Sequence, residues 1–119
     1  MTSQPVPMVS NADIDRVVRR DFAADDRAAV LAALETYGRE SHEREVVRVR
    51  LAALRLAKGS LPELRRQVSW AKLDYRDVIG PAEYPKAMKV RSLLEVDDVE
   101  RQRIYEADWK QYDEWLRRE

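Results

Sequence analysis

Arginine is the residue type in this sequence that is best suited to binding a charged group. Of the 22 basic residues in the 119-residue chain, 17 are arginine, and a planar guanidinium pairs with phosphate or carboxylate through two parallel hydrogen bonds. Three arginines share one face of a predicted helix, and two more follow across the next turn. This pattern is typical of a phosphate-binding face; the alternative is a solvated or salt-bridged surface. The members of this arginine face are Arg44, Arg48, Arg55, Arg65 and Arg66.

The overall charge of the chain limits what such a face would bind. The 22 basic residues are matched by 22 acidic ones, and the isoelectric point is about 6.6. Domains that bind nucleic acid are usually strongly basic. Nucleic acid is therefore not the expected partner, and binding of nucleic acid or another anion is the alternative to the function given below.

A second group of residues has the composition of a contact surface. Four aromatic or apolar side chains share one face of the predicted last helix. Trp70 and Leu73 lie on the predicted fourth helix, away from its main apolar face. This helix is therefore apolar on two sides, which packing in one small core does not require. Either the same chain covers these side chains, as an ordinary core, or a second molecule does, as in a homodimer. The candidate interface residues are Trp70, Leu73, Tyr105, Trp109, Tyr112 and Leu116.

The residues that most enzymes and metal sites use are scarce. The chain has no cysteine and one histidine, His42, which excludes thiolate chemistry and a metal site of several histidines within one chain. Asp74, Asp77 and Tyr84 could form a carboxylate site, but hydrogen bonds that fix a helix end to the following loop are the commoner role. The sequence therefore favours a protein that is not an enzyme and has no cofactor or metal.

Helices must position all of these residues, because no segment alternates apolar and polar residues as a strand would. The apolar spacing predicts an all-α bundle of about five helices. Its centre is an antiparallel hairpin over about 42–58 and 61–79, and a long C-terminal helix follows over about 93–117. The first two helices are predicted at about 12–23 and 26–37. The third helix is apolar on most sides, which places it in the middle of the bundle.

The turn of the hairpin has the strongest local signal. Ser60 and Glu63 have the spacing of a capping box, and they follow Gly59, a residue suited to ending a helix. Gly80–Pro81 is expected to end the fourth helix, and one helical turn can start after Pro85. The last helix can be capped by either of two residues. These are Ser92 and Asp97.

The ends and the hydropathy of the chain suggest a location. Residues 1–10 have no apolar periodicity and are expected to form a disordered tail before a single helical domain at 11–119. The longest uninterrupted apolar run, 28–34, has seven residues, whereas a membrane span needs roughly 20. The start of the chain lacks the apolar core of a signal peptide. These features predict a cytoplasmic protein that does not enter a membrane.

Four segments in the middle of the chain carry a resemblance to known proteins. They are ESHERE (40–45), RVRLAALRLAKGSLPELRRQV (48–68), AKLDYRDV (71–78) and AEYP (82–85). Over about residues 40–85 the chain resembles a group of small bacterial all-helical proteins of unknown function. The resemblance implies a bacterial, intracellular helical protein with no assigned activity.

Taken together, the residues predict a binding module. The function that we expect is protein–protein interaction or self-association, with a homodimer or an unidentified protein as the partner. The aromatic group on the fourth and last helices would form the contact.

Overall fold

The helices form an all-α bundle, as the apolar spacing predicts. The structure is a computed structural model that describes residues 6–90 and 95–119. These residues contain seven α-helices and no strand. The helices are α1 (Asn11–Asp21), α2 (Arg27–Glu35), α3 (Val46–Ala57), α4 (Leu61–Leu73), α5 (Arg76–Glu83), α6 (Pro85–Lys89) and α7 (Asp98–Arg117), and a 3-10 turn (Ala24–Asp26) precedes α2.

Helix α3 lies at the centre of the bundle because it is apolar on most sides. It packs against α1, α4 and α5, and the side chains of Leu51 and Leu54 are fully buried. The tight turn after α3 leads directly into α4, which confirms the predicted hairpin. The Ser60 side chain accepts a hydrogen bond from the backbone N–H of Glu63 at 3.3 Å, as the capping signature indicates.

The predicted fourth helix, 61–79, is divided into two helices. Helix α4 ends at Leu73, and Asp74 then adopts an extended conformation with φ −156°. The carboxylate of Asp74 accepts a hydrogen bond from the backbone N–H of Arg76 at 3.0 Å. Because aspartate readily satisfies a free N–H near a helix start, this contact ends one helix and begins the next.

The prediction that Gly80–Pro81 ends a helix is wrong. Helix α5 continues through this pair to Glu83. Pro81 has no N–H to donate to the carbonyl oxygen of Asp77, so this short helix lacks one hydrogen bond, and the packing of α5 on α3 offsets that cost. The chain leaves the helical conformation at Tyr84, where φ is −128°. The turn predicted after Pro85 is present as α6.

Two helices begin later than predicted. Helix α3 begins at Val46 rather than residue 42, because Glu45 has a left-handed conformation with φ 54°. Helix α7 begins at Asp98, and the carboxylate of Asp97 accepts a hydrogen bond from the N–H of Glu100 at 2.8 Å. Asp97 is therefore a cap of this helix. The other candidate, Ser92, lies outside the described residues.

The described part of the N-terminal segment contacts the bundle. Residues 1–5 lie outside the described range; in residues 6–10, Pro7 is buried and Val9 packs against the core. The Ser10 backbone N–H donates to the Asp13 carboxylate at 2.9 Å, which caps α1. Within 6–90 and 95–119, no helix has the length and apolar character that crossing a membrane requires.

Candidate anion-binding cleft

Arg48, from the predicted arginine face, is held in an ion pair inside the bundle. Its guanidinium donates to both carboxylate oxygens of Glu83, with Nη2–Oε1 at 2.7 Å and Nε–Oε2 at 2.9 Å. Nη2 also donates to the Tyr84 hydroxyl at 3.1 Å. The hydrogen bonds that Arg48 donates to Glu83 raise the pKa of Arg48. Because α5 covers this side of α3, Arg48 serves the fold and does not form the predicted phosphate contact.

The other members of the arginine face do not lie on one surface. Arg44 is exposed and precedes α3, whereas Arg65 and Arg66 are exposed near the start of α4, at the opposite end of the hairpin. Arg66 pairs with Glu63 at 3.1 Å. Arg55 is half-buried near the end of α3. Of the five arginines, Arg55 alone lies in the cleft described below.

The six predicted interface residues divide between the core and the surface. Helix α7 packs on α5 and α6 of the same chain, so three of the six are core residues, which corrects their assignment to an interface. The buried residues are Tyr105, Tyr112 and Leu116. On the surface, Trp70 is 54%, Leu73 87% and Trp109 36% exposed.

The residues considered for a carboxylate site have structural roles. Asp74 caps α5 and pairs with Arg76 at 2.9 Å, and Asp77 is exposed in the first turn of α5. Tyr84 is buried beside Arg48. Among the described residues, no three histidine, aspartate or glutamate side chains are grouped as metal ligands would be.

A cleft of about 610 Å³ lies where the ends of α1, α3 and α7 approach the junction between α5 and α6. Its charged lining consists of four cationic side chains and one carboxylate, and the rest is largely apolar. The charged residues are Arg20, Arg55, Lys58, Arg118 and Asp21. The apolar residues are Leu56, Pro81, Pro85 and Trp115. We call this site the basic cleft.

Arg20 fixes one wall of the basic cleft by joining α1 to the end of α7. Its Nη1 donates to the carbonyl oxygens of Trp115 at 2.8 Å and Arg118 at 2.6 Å. Its Nε and Nη2 donate to the two carboxylate oxygens of Asp21 at 2.7 and 3.0 Å. The last carbonyls of a helix lack partners within the helix and favour a cation. Arg20 therefore has mainly a structural role, and Asp21 balances its charge.

Arg55 is positioned by neutral partners. Its Nε donates to the carbonyl oxygen of Ala82 at 3.2 Å, and its Nη2 donates to the side-chain oxygen of Gln111. Its guanidinium carbon lies 5.2 Å from the centre of the Trp115 ring, and that of Arg20 lies 5.3 Å from the same ring. Both distances are within the range of cation–π contacts. The Trp115 ring therefore supports two like-charged groups at one site.

The basic cleft carries excess positive charge. Its cationic side chains outnumber its carboxylates by three, and Arg55, Lys58 and Arg118 form no ion pair with another described residue. Burial lowers the pKa of Arg55; Tyr112 opposes this effect in part, and the weaker effects of the charges of Arg118 and Arg20 lower the pKa further. Partly enclosed positive potential of this kind attracts anions.

Helix dipoles offset part of this charge. The C-terminal ends of α1, α3, α5 and α7 contribute residues to the basic cleft, and each such end carries roughly half a negative charge. Four ends therefore correspond to roughly two charges, which is less than the three side-chain charges left unpaired. The balance remains positive before any ligand is bound.

The turn between α3 and α4 brings Lys58 beside the end of α1. Gly59 has φ +81°, and a Cβ atom on it would lie 2.7 Å from the carbonyl oxygen of Asp21. Lys58 itself is left-handed, with φ 50°. Only glycine permits this close backbone approach without strain. Gly59, which follows the end of α3, therefore also sets one edge of the basic cleft.

Sequence reasoning identified one residue of the basic cleft, Arg55, and missed the others. Arg20, Lys58 and Arg118 lie at the ends of three different helices, so no local spacing connects them. A weak signal was present, because all three are basic residues at helix C-termini. That signal becomes a site only when the bundle brings those ends together.

Comparisons with known proteins give no relative for this chain. No protein-family model matches the sequence, and neither the curated proteins nor the solved structures yield a significant match.

Proposed function

We propose that this chain is a non-enzymatic binding protein that holds a small anion in the basic cleft. One observation carries the proposal: Arg55, Lys58 and Arg118 converge on one cleft from different helix ends and have no carboxylate partner among the described residues. A bound anion would relieve the repulsion between these groups and pair with each of them. The volume of about 610 Å³ is also within the usual range for small-molecule sites.

The lining supports binding rather than catalysis. Both oxygens of its one carboxylate, Asp21, accept a hydrogen bond from Arg20. No cysteine, serine or histidine lines the cleft, so the lining offers none of the usual nucleophiles. Arg55 would contribute a fixed donor, whereas the exposed side chains of Lys58 and Arg118 can adjust to the ligand.

Removing the two exposed cations is expected to weaken anion binding. Among the described residues, the side chains of Lys58 and Arg118 form no hydrogen bond or ion pair, and Arg20 uses only the backbone carbonyl of Arg118. The double variant Lys58→Gln/Arg118→Gln should therefore leave the fold unchanged. We expect calorimetric titration with inorganic phosphate at low ionic strength to show binding at least about tenfold weaker than in the natural chain, since two charge-assisted contacts are removed.

The matched control removes the same charge elsewhere. Arg44→Gln/Arg65→Gln eliminates two exposed arginines of the arginine face, outside the basic cleft. Phosphate affinity in this control should stay within about twofold of the natural chain, apart from the small long-range effect of charge. Equal losses in the two double variants, or no phosphate binding by the natural chain, would refute the proposal.

Self-association is a second candidate function, and a specific observation favours it. Trp70 and Leu73 are one turn apart on α4 and are 54% and 87% exposed. Large apolar side chains are rarely left in water together on a monomer. A second copy of the chain, with α4 against α4 about a two-fold axis, would cover both residues on each copy.

The self-association candidate predicts a dimer that depends on this face. Light scattering after gel filtration at tens of micromolar protein should give twice the mass of the chain, and Trp70→Glu/Leu73→Glu should give a monomer because it would bury four carboxylates. Met88→Glu/Val99→Glu changes two other exposed apolar residues and should remain dimeric. A natural chain that is monomeric at this concentration would rule the candidate out.

A further inference from the structure

The lining of the basic cleft also indicates which class of anion it would hold. We infer that the ligand is a phosphate monoester whose organic group is apolar, rather than an inorganic ion or a carboxylate. This inference rests on the proposed function. It specifies the charged head group of the ligand and the organic group attached to it.

The number and origin of the cations favour a phosphate head group. Arg55, Lys58 and Arg118 come from the end of α3, the following turn and the end of α7, so they approach from separate directions. A phosphate monoester carries nearly two negative charges at neutral pH and offers three terminal oxygens. A carboxylate has one charge and two oxygens in a plane, and a single guanidinium can satisfy both.

The apolar lining favours an organic group beside that phosphate. Leu56, Pro81 and Pro85 are each only partly buried, and all three line the same cleft as the cations. An inorganic phosphate would occupy a small part of about 610 Å³ and would leave these side chains in water. A hydrocarbon or ring attached to the phosphate would cover them and gain the free energy of apolar burial.

The surroundings of the basic cleft do not extend its positive charge into a track. The adjoining groove along α1 contains Asp15 and Glu119 together with Arg16 and Arg19, so its charges are mixed. Nucleic acids are bound through many successive phosphates along a continuous basic path. One concentrated positive site with an apolar wall fits one phosphate group with an organic substituent better.

Three probes separate the head group from the organic group. Calorimetric titration of the natural chain at constant ionic strength compares phenyl phosphate, inorganic phosphate and benzoate. We expect phenyl phosphate to bind about tenfold more tightly than inorganic phosphate, because the ring covers apolar side chains, and about tenfold more tightly than benzoate, which has half the charge.

A variant of the apolar lining tests the position of the ring. Leu56→Ser should bring the ratio of the affinities for phenyl phosphate and inorganic phosphate, both measured on the same variant, close to one. Because Leu56 also packs against the core, Pro81→Ser is the second variant, and it should have the same effect. Circular dichroism verifies that each variant is folded.

The outcomes distinguish failure of this inference from failure of the proposed function. Equal affinity for phenyl phosphate and inorganic phosphate overturns the inference but leaves the proposed function intact, and so does benzoate binding as tightly as phenyl phosphate. Failure of all three probes to bind overturns both. A single-stranded oligonucleotide that binds more tightly than phenyl phosphate and displaces it overturns the inference in favour of nucleic acid. If phenyl phosphate binds as expected, vesicles containing phosphatidic acid show whether a lipid can supply the same head group.

Discussion

Glu83→Gln is expected to lower the free energy of unfolding by about 3–5 kcal/mol, because it leaves the charge of Arg48 buried without a counterion. The Glu83 side chain is 1% exposed, and its two oxygens receive three hydrogen bonds from one guanidinium. A neutral amide accepts fewer of these bonds and does not balance the charge. Urea unfolding followed by circular dichroism measures the change.

Two comparison variants identify the cause of that loss. Arg48→Met/Glu83→Leu removes both charges at similar volume and should recover most of the stability, because apolar residues of matching size often replace a buried pair without loss. Asp113→Asn breaks an exposed ion pair with Arg117 and should cost at most about 1 kcal/mol. If Glu83→Gln is no more harmful than Asp113→Asn, the buried pair does not anchor α5 to α3.

The same pair shows what the sequence could and could not predict. The position of α3 at the centre follows from its apolar circumference, and the turn at Gly59 follows from its own capping residues, so both were predictable locally. That Glu83 would meet Arg48, 35 residues away, depends on α5 passing beyond Gly80–Pro81. Local breaker rules predict the opposite, because tertiary packing of α5 on α3 outweighs the cost of one proline in a short helix.

The candidate site was less predictable than the fold. Helical periodicity assigns Arg48 and Arg55 to one face. That face is covered by α5, and Arg55 also contacts Gln111 and Trp115 of α7. Arg55 then projects into the basic cleft, and Arg48 does not. Tyr112 and Leu116 likewise share a helical face with Trp109 but lie deeper against the bundle. The sequence determines which residues share a helical face, whereas tertiary packing determines what covers that face.

The second large effect is expected at Glu43, a buried carboxylate in the loop before α3. Its Oε1 accepts hydrogen bonds from the backbone N–H groups of Gly38, Arg39 and Glu40 at 2.9, 3.0 and 3.1 Å. We expect Glu43→Ala to lower the free energy of unfolding by about 2–3 kcal/mol, because three donors lose their acceptor. Glu43→Gln should cost about 1–2 kcal/mol, since its amide oxygen still accepts hydrogen bonds but is uncharged.

Acid should remove the advantage of the charged Glu43. Burial raises the pKa of Glu43, but the hydrogen bonds from Glu40, Gly38 and Arg39 outweigh that effect, so its pKa lies below the ordinary value of 4.5. A carboxyl group with a lowered pKa in the folded state stabilises the protein fully above the unfolded pKa, and this contribution is lost as the pH falls through the folded pKa. The difference in unfolding free energy between the natural chain and Glu43→Gln should therefore be largest near pH 7 and shrink as the pH falls below the ordinary value of 4.5.

An exposed neighbour in the same loop is the control for that measurement. Glu40→Gln changes a carboxylate that is exposed, and we expect less than about 0.5 kcal/mol at either pH. Because Glu43 closes the loop that carries Gly38, with φ +107°, its protonation should loosen residues 38–43 before the bundle unfolds. Faster amide exchange at Gly38, Arg39 and Glu40 in Glu43→Gln, with unchanged exchange in α3, would show this local opening. A difference between the two proteins that does not depend on pH would mean that the negative charge of Glu43 contributes nothing, and that the shape of the loop alone sets where α3 begins.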